Sequence, residues 1–151
     1  MIAVPELPEV CLPAQWNATP VRRGRHAQEL RGAKETRAAG IRLERCAAGR
    51  LRDAYPVGRH DIEVQADECA DEALPQLLTA LTDAVGRADP RCRRLVLATS
   101  AADGTRIAAA ESAGFRYVVD VDLGSAECSL LAWEPSWAAL TDPDLDRVPG
   151  A

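Results

Sequence analysis

The chain has 151 residues, the size of one domain built on one core, and its 47% hydrophobic and 27% charged content excludes a collagen-like, mucin-like or wholly disordered protein. No window approaches the ~18–20 uninterrupted apolar residues of a membrane span, and the opening MIAVPELPEV has no basic stretch leading into an apolar run, so the expected location is cytoplasmic. The net charge of −5 conceals a split: residues 1–60 carry 11 Lys/Arg against 6 Asp/Glu, and residues 61–151 carry 7 against 17.

Residues 1–20 hold Pro5, Pro8, Pro13 and Pro20 and read as an irregular, proline-rich lead-in with room for one short strand. Residues 22–39 read as a helix with a thin apolar stripe (Ala27, Leu30, Ala33, Ala38), weakened by Gly24 and Gly32. Residues 41–46 alternate apolar and charged, as a half-buried strand does. Tyr55 to Gly58 reads as a turn before a short strand over 61–65. Leu74, Leu77, Leu78, Leu81, Ala84 and Val85 recur at helical spacing, with Gly86 placed to end the helix. Residues 93–99 form an apolar strand suited to burial on both faces. Asp103 is placed to N-cap a helix running to Ala113, and Gly114 to close it in a left-handed turn. Residues 115–123 and 128–135 then make a hairpin around Gly124-Ser125, and an acidic, flexible tail follows over 141–151. The order of strands and helices gives an α/β domain around one mixed central sheet flanked by helices, spanning 21–140.

The five cysteines (Cys11, Cys46, Cys69, Cys92, Cys128) form no C-x-x-C pair, and His26 and His60 are the only histidines, so no metal site is expected. Reduced, mostly buried thiols are the expected state. His60-Asp61 with Cys69 invites a nucleophile reading, but the spacing matches no signature and an unactivated buried Cys is commoner. Residues 22–59 carry 11 basic and 4 acidic residues; 17 of the 18 basic residues of the chain are Arg, a compositional bias. With six aromatics in the chain and only Tyr55 among those charges, a solvated face pairing with the acidic half is expected rather than a nucleic-acid footprint. Trp133 and Trp137 bracket Pro135 and suit either a cap on the core or a subunit interface, so a homodimer is an open expectation.

Over residues 61–135 the chain resembles the GCN5-related N-acetyltransferase (GNAT) superfamily. The likeness rests on the strand LVLATS, the helix DGTRIAAAESAGF with its Ala113-Gly114-Phe115 end, the hairpin to AWEP, and the ungapped run VQADECADEALPQLL from Val64 to Leu78. It implies a GNAT-like fold and an acetyl-CoA- or other acyl-CoA-dependent transfer to an amine on a small molecule or a protein. Val64, Gln65, Ala66, Cys69, Ala70, Glu72, Leu74 and Asp103 are the positions it aligns with cofactor contacts. It further implies a Val64 backbone N–H that polarises the thioester carbonyl and a Glu63 carboxylate that accepts the amine proton, although alternation alone would put Glu63 on a solvated strand face.

The chain departs from that pattern where the chemistry is most demanding. The family's pyrophosphate loop reads Q/R-x-x-G-x-G/A, and Cys69, Glu72 and Leu74 stand at its basic and glycine positions. Asp67, Glu68, Asp71 and Glu72 crowd the same loop, where acids stabilise a helix N-terminus but oppose a phosphate. Ala110 stands where the family often has the Tyr that protonates the leaving thiolate, and Asp103 where it prefers Asn. The alternative expectation is therefore a catalytically inactive GNAT-fold binding or assembly module that does not use acyl-CoA.

Overall fold

The computed structural model describes residues 3–35 and 37–140; the acidic tail expected over 141–151 lies outside them. Residues 22–39 form no helix. Thr19–Arg23 (β1) and Ala27–Lys34 (β2) make an antiparallel hairpin, and Arg37–Arg45 (β3) returns beside β2. The inward members of β2 are Gln28, Leu30 and Gly32, so only one of three is a large apolar residue and the period of two is masked. Each of the other two is inward for a local reason. The Gln28 amide accepts from the Val10 N–H (3.0 Å) and donates to the Val10 carbonyl (3.1 Å), pinning the lead-in as a strand would. At Gly32 a Cβ would lie 3.5 Å from the Trp16 carbonyl and 3.6 Å from an Ile41 methyl.

Arg45 anchors the same lead-in. Its side chain, 1% exposed, pairs with Asp89 at 2.6 Å and donates to the carbonyls of Pro5, Glu6 and His60. The short 3-10 turns Ala14–Trp16 and Cys46–Ala48 complete the N-terminal half.

The second half follows the expected order: Ile62–Asp67 (β4), Leu74–Ala88 (α1), Leu95–Ser100 (β5), Gly104–Ser112 (α2), Arg116–Leu123 (β6), Ala126–Trp133 (β7) and Ser136–Leu140 (α3). Helix α1 buries Leu74, Leu77, Leu78, Leu81, Ala84 and Val85, the stripe read from spacing. It runs through Gly86, which is not its cap, and ends where the Asp89 N–H bonds the Val85 carbonyl at 2.7 Å. The Asp103 carboxylate accepts the Arg106 N–H at 3.0 Å and caps α2. Gly114, at φ +95°, turns the chain out of α2, and Gly124, at φ +69°, makes the β6–β7 turn.

The seven strands form one mixed sheet in the order β1-β2-β3-β4-β5-β7-β6, with β4 and β5 the parallel pair. Helices α1 and α2 share one face, over a core of Leu43, Ile62, Val64, Leu95, Leu97, Leu131 and Phe115. The other face carries a smaller cluster, Cys46, Leu51, Val96 and Leu130, covered by the irregular crossing between β3 and β4 rather than by a helix. Cys46, Cys69 and Cys92 are buried and Cys11 is exposed, all as free thiols.

Candidate functional site

The sheet opens at its centre. β4 and β5 are each six residues long, yet their register has only three rungs: Ile62 with Leu95, Glu63 with Val96 and Val64 with Leu97. Beyond these, β4 stays paired with β3 out to Asp67 and β5 with β7 out to Ser100, so a gap separates Gln65–Asp67 from Ala98–Ser100. The Ile62 N–H donates to the Arg94 carbonyl on the β5 side. Strand alternation carries Val64 and Ala66 to the same side. Val64 sits on the last rung; Ala66 is the first residue whose backbone faces the gap without a strand opposite.

Arg106 occupies the mouth of that gap. From the first turn of α2 its guanidinium donates to the carbonyls of Ala66 (2.5 Å) and Cys69 (3.2 Å) and reaches the Asp71 carboxylate at 3.5 Å. Its side chain is 18% exposed. These bonds span the end of β4 and the loop before α1 and leave Arg106 committed to the protein's own backbone.

At the start of α1, three backbone positions are closed to an anion. An anion at a helix start needs free N–H groups. Here the Leu74 N–H bonds back to the Ala70 and Asp71 carbonyls (3.2 and 3.3 Å), Pro75 has none, and the Leu77 N–H already bonds Ala73 at 3.1 Å. Leu74, aligned with a family glycine, is fully buried in the core rather than at the loop surface. Asp67, Glu68 and Glu72 are exposed and Asp71 half-buried beside them. None of these acids lies in the first turn of α1, whose N-cap is Ala73. Glu68 pairs instead with Arg31 at 3.0 Å, and Asp71 with Arg106.

The acid–base positions are also committed. Glu63 is not on a solvated face: it is 1% exposed and held by Arg50 at 2.6 and 3.2 Å. Hydrogen bonding to Glu63 pushes the Arg50 guanidinium up from its ordinary value. Around this pair the same face carries Arg42, bonded to Glu29 at 2.8 Å and Glu44 at 3.2 Å. Three arginines of the basic segment, Arg31, Arg45 and Arg50, thus pair with acids of the second half. Ala110 is fully buried in the core. His60 and Cys69 lie beyond opposite ends of β4, about 20 Å apart at ~3.3 Å per strand residue, and burial pushes the Cys69 thiol up. Among the described residues no group of three or more His, Cys, Asp or Glu is placed to hold a metal ion.

Of the residues expected at the site, Ala66, Cys69 and Asp103 converge on Arg106, Val64 and Gln65 flank the start of the gap, Ala70 and Glu72 sit on the exposed loop, and Glu63 belongs to the Arg50 pair. Arg106 and Arg50 are the two residues that sequence reasoning missed. Arg106 left one faint trace, as the only basic residue between Arg94 and Arg116.

The sequence matches no protein-family model and no curated protein. Solved structures do match. An uncharacterized protein of Bacillus halodurans superposes with a TM-score of 0.66 at 18% identity, over 74% of this chain and 61% of that one. Aminoglycoside acetyltransferase AAC(6')-Ib in complex with coenzyme A gives 0.63 at 10% identity, over 78% of this chain and 71% of that one. The chain adopts the GNAT fold. A third structure, yncA from Salmonella typhimurium with its cofactor acetyl-CoA, gives 0.52 at 13% identity, over 72% of this chain and 64% of that one. The chain therefore spans about three fifths of the length of the Bacillus protein.

Proposed function

We propose that this GNAT-fold chain is a binding module that does not use acyl-CoA, its β4–β5 gap braced from within by Arg106. One observation carries the reading: Arg106 holds the Ala66 and Cys69 carbonyls at the gap, the backbone a threaded ligand would use. The loop chemistry agrees. At ~5 Å and an effective dielectric near 20, each carboxylate facing a phosphate charge costs on the order of 3 kcal/mol before screening. Four carboxylates stand there, and the two guanidiniums beside them, Arg31 and Arg106, are already shared with Glu68 and Asp71. With Glu63 bound to Arg50 and Ala110 inside the core, neither position that the resemblance assigns to proton transfer is free to act at the gap.

The test is an acetyl-CoA titration followed by thermal unfolding at low salt. A ligand at 100 times its dissociation constant stabilises a fold by about 2.7 kcal/mol, a shift of several degrees for a chain of this size. No shift is expected at millimolar acetyl-CoA, and a saturable shift overturns the proposal.

The open gap itself favours a second reading, acyl-CoA-dependent transfer to an amine, because a sheet gains nothing from three unpaired rungs. That reading requires Arg106 to leave the loop and meet the phosphates. An Arg106→Gln variant separates the two: if Arg106 is a phosphate ligand, wild-type binding is present and the variant loses it.

A further inference from the structure

The far end of the sheet holds a cavity that the gap does not reach. It measures about 200 Å³ and lies on the face without helices, where β5 begins and β7 ends. Val96, Leu130 and Ala132 form its floor and Tyr55 a wall. Val118 joins them because β6 bulges between Tyr117 and Val119, setting an extra residue against β7. Half of the Val118 side chain is exposed. A dry cavity of ~150 Å³ holds a benzene ring, so this one holds a ring with a short arm.

Its rim is charged in a particular way. Arg94 and Glu134 line the mouth and pair at 3.3 Å, with side chains 36% and 39% exposed. The Arg94 guanidinium also donates to the Pro56 carbonyl at 3.3 Å and lies 3.6 Å from the Asp61 carboxylate. Asp61 is in turn held by the Tyr55 hydroxyl at 2.8 Å and the Gly58 N–H at 2.9 Å. Arg94 is thereby fixed in place, whereas its contact with Glu134 is an exposed pair of the kind worth little by itself. An apolar floor beside one fixed cation and one loosely held anion complements a ligand that carries both charges next to an apolar group. A ligand with a carboxylate alone meets Glu134, and one with an ammonium alone meets Arg94.

From this geometry we infer that the cavity is a binding site for a free apolar or aromatic α-amino acid, its carboxylate on Arg94, its ammonium on Glu134 and its side chain on Val96, Leu130 and Ala132. The site lies at the opposite end of the sheet from Arg106, so it stands or falls independently of the reading of the gap.

The test titrates the full chain with L-phenylalanine, phenethylamine and 3-phenylpropionate, following the methyl NMR signals of Val96, Val118, Leu130 and Ala132. L-Phenylalanine is expected to shift these methyls saturably and to bind about ten-fold tighter than either single-charge analogue. Glu134→Gln, a rim change that leaves the floor intact, should erase most of the preference over 3-phenylpropionate, and Ala132→Trp should abolish the shifts by filling the cavity. The inference is overturned if no ligand moves these methyls, if either analogue binds as tightly as phenylalanine, or if Glu134→Gln leaves the preference over 3-phenylpropionate intact.

Discussion

The two faces of the central sheet are made by alternate residues of the same strands, yet they are closed by different physics. On the helix side, Leu43, Val64, Leu97 and Leu131 bury against α1 and α2 in a continuous apolar core. On the other side, the neighbours of those residues include Glu44, Glu63, Val96 and Leu130, covered by Arg42, Arg50 and a crossing without a helix. The helix face is closed by apolar burial, and the open face by ion pairs and one small apolar cluster.

The largest expected effect tests how the helix side is tied to the lead-in. Arg45 and Asp89 are 1% and 9% exposed, and Arg45 also serves three carbonyls. Arg45→Ala leaves a buried carboxylate and those carbonyls without their donor, and should cost about 3–5 kcal/mol in urea unfolding. A loss below ~1 kcal/mol, the size of a surface pair, would show that this edge is hydrated and the contrast between faces is overstated.

Glu63→Gln puts the same question to the open face. Its carboxylate is buried, but its Arg50 partner is 45% exposed, so solvent screens part of the pair. Gln keeps the shape and one acceptor. We expect a loss of about 1–2 kcal/mol, smaller than at Arg45. Equal losses would mean that the open face is as dry as the helix face.

The sequence disclosed the helix face far better than the open one. Leu74 to Val85 and the Asp103 and Gly114 caps were legible because large apolar residues and cap residues each announce one geometry. Strand β2 was not, because two of its inward positions are Gln28 and Gly32, polar and small for reasons set by Val10 and Trp16, more than a dozen residues away in sequence. The departure of the loop from the GNAT pattern was visible as Cys69, Glu72 and Leu74, but its internal brace was not. Arg106 lies 40 residues from the Ala66 carbonyl it holds, and no periodicity encodes such a pair. Arg50 and Glu63 escaped for the same reason: alternation assigns a face, and only the fold decides whether that face is covered.

The smallest expected effect concerns Asp61, which sits at the junction of the crossing and the open-face cavity. Burial raises its carboxyl above the ordinary carboxylate range, against the Gly58 N–H, the Tyr55 hydroxyl and Arg94, which lower it. A raised acid binds its proton more tightly in the folded state. Its contribution to stability is therefore fullest below the ordinary value and is lost as pH rises through the raised one. Asp61→Asn keeps an acceptor for Tyr55 and Gly58 but removes the ionisation. The stability of wild type minus that of Asp61→Asn, from urea midpoints across the acid range, should shrink as pH rises from the ordinary carboxylate value and then level off. Other carboxylates act in both proteins and cancel in this difference. A difference that grows with pH would mean that Arg94 outweighs desolvation at Asp61. The open face would then be held by charge even at a fully buried acid, and the contrast with the helix face would be sharper than the geometry alone implies.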